Sequence, residues 1–169
     1  MKRLFFGIEL NADARAAVRA AAERMRLEKG KLTDMDNYHV TLAFLGQVDE
    51  EAVPELLRLG ALCWRRPFEL TLSGSMDTFK GGSVIWAGLD ESTELGKMQA
   101  RLQNILQENG FLGESEGYTP HITVARSARA ARPYPDVGRV SFDVNCVTLF
   151  ESLREDGRLV YKPLGRMPQ

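Results

Sequence analysis

The chain contains two histidines, His39 and His121, and each opens the same four-residue pattern, His39-Val40-Thr41-Leu42 and His121-Ile122-Thr123-Val124. In a strand, residues i and i+2 share one face while i+1 and i+3 share the other. Each imidazole therefore has a threonine hydroxyl beside it, and Val40, Leu42, Ile122 and Val124 are expected to anchor the opposite face in a core. At ordinary residue usage, threonine two places after both of only two histidines arises by chance on the order of once in several hundred. That rarity outweighs the ordinary reading of a lone histidine on an apolar strand, a satisfied core side chain.

Two imidazoles facing each other suit phosphodiester cleavage. A reference pKa of about 6.5 lets one remain neutral as base while the other stays protonated as acid. Each threonine can donate a hydrogen bond to a phosphate oxygen, stabilising the charge that develops there. The two motifs are nearly symmetric and do not by themselves distinguish the acid from the base. Rival chemistries have weaker support. There is no HExxH, no clustered Cys/His spacing and no third histidine for a zinc set. Neither a G-x-S-x-G elbow nor an activated cysteine setting is present, and Gly81-Gly82 lacks the Lys-Ser/Thr of a phosphate loop.

The elements that must position these residues read as follows. Arg3 to Leu10 is a buried strand, and Asn11 caps an Ala-rich helix (Ala14, Ala17, Val18, Ala21, Met25) expected to end near Gly30. His39 to Gly46 is a short apolar strand suited to the middle of a sheet, followed by a helix from Asp49 to about Trp64. Phe68, Leu70 and Leu72 alternate with polar residues, and Lys80-Gly81-Gly82-Ser83 then turns the chain into Val84-Ile85-Trp86-Ala87, a hairpin ending at Asp90. Leu95, Met98, Leu102, Ile105 and Leu106 form the core stripe of a helix stopped by Gly110. His121 to Arg126 is a strand entered through Pro120, and Ser127 to Gly138 reads as a Pro- and Arg-rich loop. Strands over 140–150 and 158–163 follow, joined through Asp156-Gly157. The sum is α+β with helices outside mostly antiparallel sheets. The repeated helix-then-His-x-Thr-strand suggests two copies of one lobe around a shared cleft.

The 169 residues fit one compact domain, 1–169, of two such lobes. No stretch approaches the roughly eighteen apolar residues of a membrane span, and the apolar run of MKRLFFGIEL ends at Glu9 without a cleavage site, so a membrane or secretory role is not expected and the cytoplasm is. Cys63 and Cys146 stand in apolar surroundings as free thiols. A net charge of −1 argues against bulk electrostatic binding of long nucleic acid and leaves room for a small or terminal one.

With their flanking text these motifs resemble the two H-x-T-x signatures of the 2H phosphoesterase superfamily, and within it the bacterial and archaeal RNA 2′,3′-cyclic phosphodiesterases, historically called 2′-5′ RNA ligases. The likeness covers Arg3-Leu4-Phe5-Phe6-Gly7-Ile8-Glu9-Leu10, the run from Asn37 to Gly46, Val84-Ile85-Trp86-Ala87-Gly88-Leu89, and Pro120-His121-Ile122-Thr123-Val124-Ala125-Arg126. The resemblance implies a bilobal, pseudo-symmetric LigT-like fold around a central cleft, and cofactor-free hydrolysis of an RNA 2′,3′-cyclic phosphate to a 2′-phosphomonoester. It implies His39 as proton donor to the leaving 3′ oxygen, His121 as proton acceptor from water, and Thr41 and Thr123 as phosphate holders. It also implies a secondary reverse reaction joining tRNA halves through a 2′-5′ linkage. Rival substrates are small cyclic nucleotides or 2′-5′ oligonucleotides, and a non-catalytic RNA-binding module is the rival from another class.

Arg126 sits at an odd offset from His121, so a regular strand would turn it to the core unless the strand bends and brings it to the phosphate. Arg129, Arg132 and Arg139 make the following segment locally basic, suited to guiding an RNA backbone. Phe5, Phe44, Trp86 and above all Tyr118 are candidates for stacking a terminal base. A monomer is expected, because the duplication already supplies two lobes.

Overall fold

A computed structural model describes residues 1–79 and 81–168. The chain runs β1 (Lys2–Glu9), α1 (Ala12–Glu23), β2 (Arg26–Leu32), a 3-10 turn (Met35–Asn37), β3 (His39–Val48), a second 3-10 turn (Glu50–Ala52) and α2 (Val53–Leu62). It continues through β4 (Phe68–Thr78), β5 (Ile85–Leu89), α3 (Thr93–Glu108), β6 (Ile122–Ala131), β7 (Ser141–Val144), β8 (Val147–Glu155) and β9 (Arg158–Met167). Two antiparallel sheets result, in the orders β3-β1-β8-β9 and β2-β6-β5-β4-β7. One histidine motif lies in each sheet.

Local chemistry explains several of these elements. The Asn11 side chain accepts from the Ala14 N–H at 2.8 Å and starts α1, whose Ala14, Val18, Ala21 and Ala22 are buried. Ser92 caps α3 in the same way, and Leu95, Met98, Leu102 and Leu106 bury its apolar stripe, each such large side chain contributing about 1.5–3 kcal/mol. Asp156 and Gly157 both adopt positive φ, as the tight turn between β8 and β9 requires. The β4–β5 hairpin forms where expected, with Gly82 N–H donating to the Phe79 carbonyl; Lys80 in its turn lies outside the described residues.

Four expectations are corrected. First, α1 stops at Glu23, two residues short of Met25, and the charged run that follows is recruited as β2, an edge strand paired with β6. Gly30 belongs to that strand, at φ +98°, where a Cβ would lie 2.4 Å from Ala128 Cα. Second, the segment read as a loop from Ser127 remains strand to Ala131, held by the same pairing. Third, the run 140–150 divides at Asn145-Cys146. Its first part, β7, pairs with β4, and its second part, β8, crosses to the other sheet beside β1. Fourth, β3 lies at a sheet edge and not in the middle. Its apolar character comes from burial of Val40, Leu42 and Ala43 and from packing against α3.

Among the described residues no helix is long and apolar enough to cross a membrane. Cys63 and Cys146 are unbridged.

Candidate active site

The two motif strands share one irregularity as well as one sequence pattern. In β3, His39 and Thr41 are half-buried, Val40, Leu42 and Ala43 buried, and Phe44 exposed. In the second motif, His121 and Thr123 are half-buried, Ile122, Val124 and Ala125 buried, and Arg126 exposed. Two successive core-facing residues require a bulge. The register shows it at Leu42, where Gly7 pairs with Thr41 and Phe6 with Ala43, and at Val124, where Trp86 pairs with Thr123 and Ile85 with Ala125. The bulge carbonyls are satisfied from outside the pair: Gln99 Nε2 donates to the Leu42 carbonyl at 3.2 Å, and Thr33 N–H to the Val124 carbonyl at 2.8 Å. The second bulge reverses the strand's parity beyond Val124, so Arg126 shares the face of His121 and Thr123.

Each imidazole is held through the same ring atom. His39 Nδ1 donates to the Asn37 carbonyl at 2.7 Å, and His121 Nδ1 to the Thr119 carbonyl at 2.8 Å, in both cases two residues back along the chain. A carbonyl can only accept, so Nδ1 carries the proton in the neutral ring and Nε2 is left as the acceptor. His39 Nε2 accepts from the Thr41 hydroxyl at 2.7 Å. Gly7 makes room for that ring, since a Cβ there would reach within 3.4 Å of His39 Cδ2. Phe5 lies 4.8 Å from the His39 ring and Tyr161 meets it edge-on at 5.1 Å. His121 is bordered by Phe79 at 4.7 Å and Trp86 at 6.1 Å.

These walls set the electrostatics. Burial pushes His39 from 6.5 down to about 4; the Asn37 carbonyl opposes that shift, while the charges of His121 and Arg126 add to it. His121 is also lowered, by burial first, with the Thr119 carbonyl opposing and Arg126 reinforcing. His39 thus senses both His121 and Arg126, and β3 and β6 contact each other although they belong to different sheets. Both rings are neutral near neutral pH when no anion is bound. Among the described residues no three His, Cys, Asp or Glu side chains cluster as metal ligands would.

A family model described as the 2′-5′ RNA ligase superfamily matches residues 12–155. The chain belongs to this superfamily. It is 32% identical to an RNA 2′,3′-cyclic phosphodiesterase of Escherichia coli K12 over 98% of this chain and 95% of the relative. It is 26% identical to a protein of the same description from Methanocaldococcus jannaschii, over 95% and 96% of the two chains. The crystal structure of E. coli LigT complexed with 3′-AMP superimposes with a TM-score of 0.85 at 31% identity, covering 99% of both chains. The bilobal LigT-like architecture expected from the sequence is therefore the observed one.

In this superfamily member the remaining candidate residues are distributed unevenly. The Tyr118 hydroxyl donates to the Thr41 carbonyl at 2.8 Å, and burial raises its pKa. Tyr118 is half-buried against the core and tied by that bond to β3. Arg129 is paired with Glu28, Arg132 with Asp77 and Arg139 with Asp90, so the basic segment is locally neutralised. Arg132 also lies over the Tyr134 ring at 4.5 Å. Phe5 is buried as the wall of His39, Trp86 borders His121, and Phe44 is half-exposed beneath the Arg3 guanidinium. Asn37, Thr119, Phe79 and Tyr161 were not identified from the sequence. The first two had one usable signal, a common position two residues before each histidine.

Proposed function

We propose that this chain hydrolyses RNA ends carrying a 2′,3′-cyclic phosphate to 2′-phosphomonoesters, by acid/base catalysis between His39 and His121. The observation that carries this reading is the duplicated presentation of imidazole and hydroxyl from two bulged strands, with Nδ1 pinned to a backbone carbonyl in both. The shared description of the E. coli and M. jannaschii relatives as RNA 2′,3′-cyclic phosphodiesterases supports the substrate.

In this mechanism Thr41 and Thr123 donate to the non-bridging phosphate oxygens, and Arg126 balances their charge. His121 Nε2 takes a proton from water as its oxygen attacks phosphorus. His39 Nε2 gives a proton to the departing 3′ oxygen, leaving phosphate on the 2′ oxygen. His39 can hold that proton once substrate arrives, because the negative charge of a bound phosphodiester works against the depression that burial mainly causes and to which the charges of His121 and Arg126 add. The rigid Nδ1 contacts keep both rings in reacting orientation without a rotamer search. Running the steps backwards, a 5′ hydroxyl in place of water gives the 2′-5′ linkage, a secondary activity on tRNA halves. The protein acts as a monomer in the cytoplasm.

The test is turnover of an oligoribonucleotide ending in a 2′,3′-cyclic phosphate. His39→Ala and His121→Ala are each expected to lower turnover roughly 10²- to 10⁴-fold with the fold retained. Full activity in either variant contradicts the mechanism.

A further inference from the structure

Beside His39 lies a cavity of about 640 Å³, within the range of ligand sites. Asn37, whose carbonyl holds His39, and Tyr161, which meets the His39 ring edge-on, both line it. Its remaining wall is unusually cationic: Arg19, Lys31, Arg126, Arg154 and Arg158 face a single carboxylate, Asp34. Asp34 is paired with Arg158, and Arg19 with Glu23. Among the described residues, Lys31, Arg126 and Arg154 have no carboxylate within ion-pair distance.

The register makes this imbalance more pointed. Lys31 stands directly opposite Arg126 in the β2–β6 ladder, and like charges directly opposite each other destabilise a sheet. The neighbouring cross-strand pair, Lys29 and Arg129, is relieved because Arg129 is bridged to Glu28. Among the described residues the Lys31–Arg126 pair has no such relief. Negative charge at either side chain, the reacting phosphate at Arg126 or a further one at Lys31, would relieve the repulsion. The same cavity exposes apolar surface, Met35 at 39% and Leu159 at 37%, next to Tyr161. Cations beside exposed apolar and aromatic surface are what a single-stranded nucleotide requires, phosphate on one side and base face on the other.

We infer that this cavity is an upstream subsite for the substrate strand. It holds the nucleotide that precedes the cyclic end, its phosphate drawn to Lys31 and Arg154, the cations of this wall that have no carboxylate partner among the described residues and no part in the proposed reaction, and its base against Met35, Leu159 and Tyr161. An RNA with a cyclic phosphate terminus extends only in its 5′ direction, so the strand needs one exit from the histidines, and this is the cationic one that adjoins His39. The inference rests on RNA-end hydrolysis at the two histidines and adds recognition of strand length to it.

Steady-state kinetics on 2′,3′-cyclic cytidine monophosphate and on a tetranucleotide ending in the same group test it. The unmodified protein is expected to show a KM for the tetranucleotide at least about tenfold lower than for the mononucleotide. Lys31→Ala and Arg154→Ala, both at exposed positions, should each raise the tetranucleotide KM roughly tenfold while leaving kcat and mononucleotide hydrolysis within about twofold. Each should also lower the salt dependence of log KM by about 0.7, the loss of one phosphate contact on a single strand. Equal KM values for the two substrates in the unmodified protein, or variants that weaken both substrates alike, overturn the subsite alone. A protein that turns over neither substrate overturns RNA-end hydrolysis and the subsite with it.

Discussion

Phe44 and Arg126 occupy equivalent places in the two motif strands: each follows its motif threonine by three residues and each faces outward behind a one-residue bulge, at Leu42 and at Val124. The bulge is thus as much a part of the repeated motif as the His-x-Thr spacing. In one lobe it delivers an aromatic ring, and in the other a guanidinium, the group to which the proposed mechanism gives the phosphate charge.

The first bulge depends on Gln99, whose amide is buried on the Leu42 carbonyl. Gln99→Leu preserves the packing volume of α3 but strands that carbonyl, at a cost of about 1–3 kcal/mol. For a chain of this size the thermal midpoint should fall by several degrees, roughly 2–4 °C for each kcal/mol. Differential scanning calorimetry measures this, and an unchanged midpoint would show that the bulge needs no external donor.

Both histidines titrate below 6.5 in the free protein, with His39 near 4. The pH profile of kcat/KM reports the free enzyme and that of kcat the substrate complex. The kcat/KM bell is therefore expected on the acid side of 6.5, with the kcat bell displaced to higher pH by the bound phosphate. Coincident bells would contradict charging of His39 by the substrate.

The same depression affects stability, and its sign is definite. His39 has a folded pKa below its unfolded value, so the folded state binds the proton less readily than the unfolded chain. The contribution of neutral His39 is fully present above 6.5 and is lost as pH falls from 6.5 toward about 4. Denaturant midpoints measured across that window should decline for the native sequence and decline less for His39→Gln. Equal slopes would locate the acid sensitivity elsewhere.

Arg129 and Arg132 are exposed and each already has a carboxylate partner. Such surface pairs contribute about 0–1 kcal/mol. Arg129→Ala and Arg132→Ala should leave both stability and the salt dependence of RNA turnover nearly unchanged, in contrast to Lys31→Ala. Loss of RNA affinity in either variant, seen as a raised KM, would restore the basic segment to the binding surface.

The site was legible in the sequence to the extent that it is local. Strand parity placed Thr41 beside His39, Asn11 announced α1, and Asp156-Gly157 marked the last hairpin because each acts within a few residues. What depends on partners far along the chain was not legible. The charged run 26–32 carries no alternation and becomes a strand only because β6 lies beside it. Val124 is an ordinary strand residue by type, so nothing in it announces the bulge that redirects Arg126. Glu28 and Asp77 neutralise Arg129 and Arg132 from 101 and 55 residues away, which made the segment look more basic than it is.

The central claim is that His39 and His121 direct water onto a cyclic phosphate so that the 3′ oxygen leaves. The most direct measurement is incubation of an RNA ending in a 2′,3′-cyclic phosphate in ¹⁸O-labelled water, followed by location of the product phosphate by mass spectrometry and ³¹P NMR. A 2′-phosphomonoester carrying one ¹⁸O is the expected result, and a 3′-phosphomonoester, or no turnover, would contradict it.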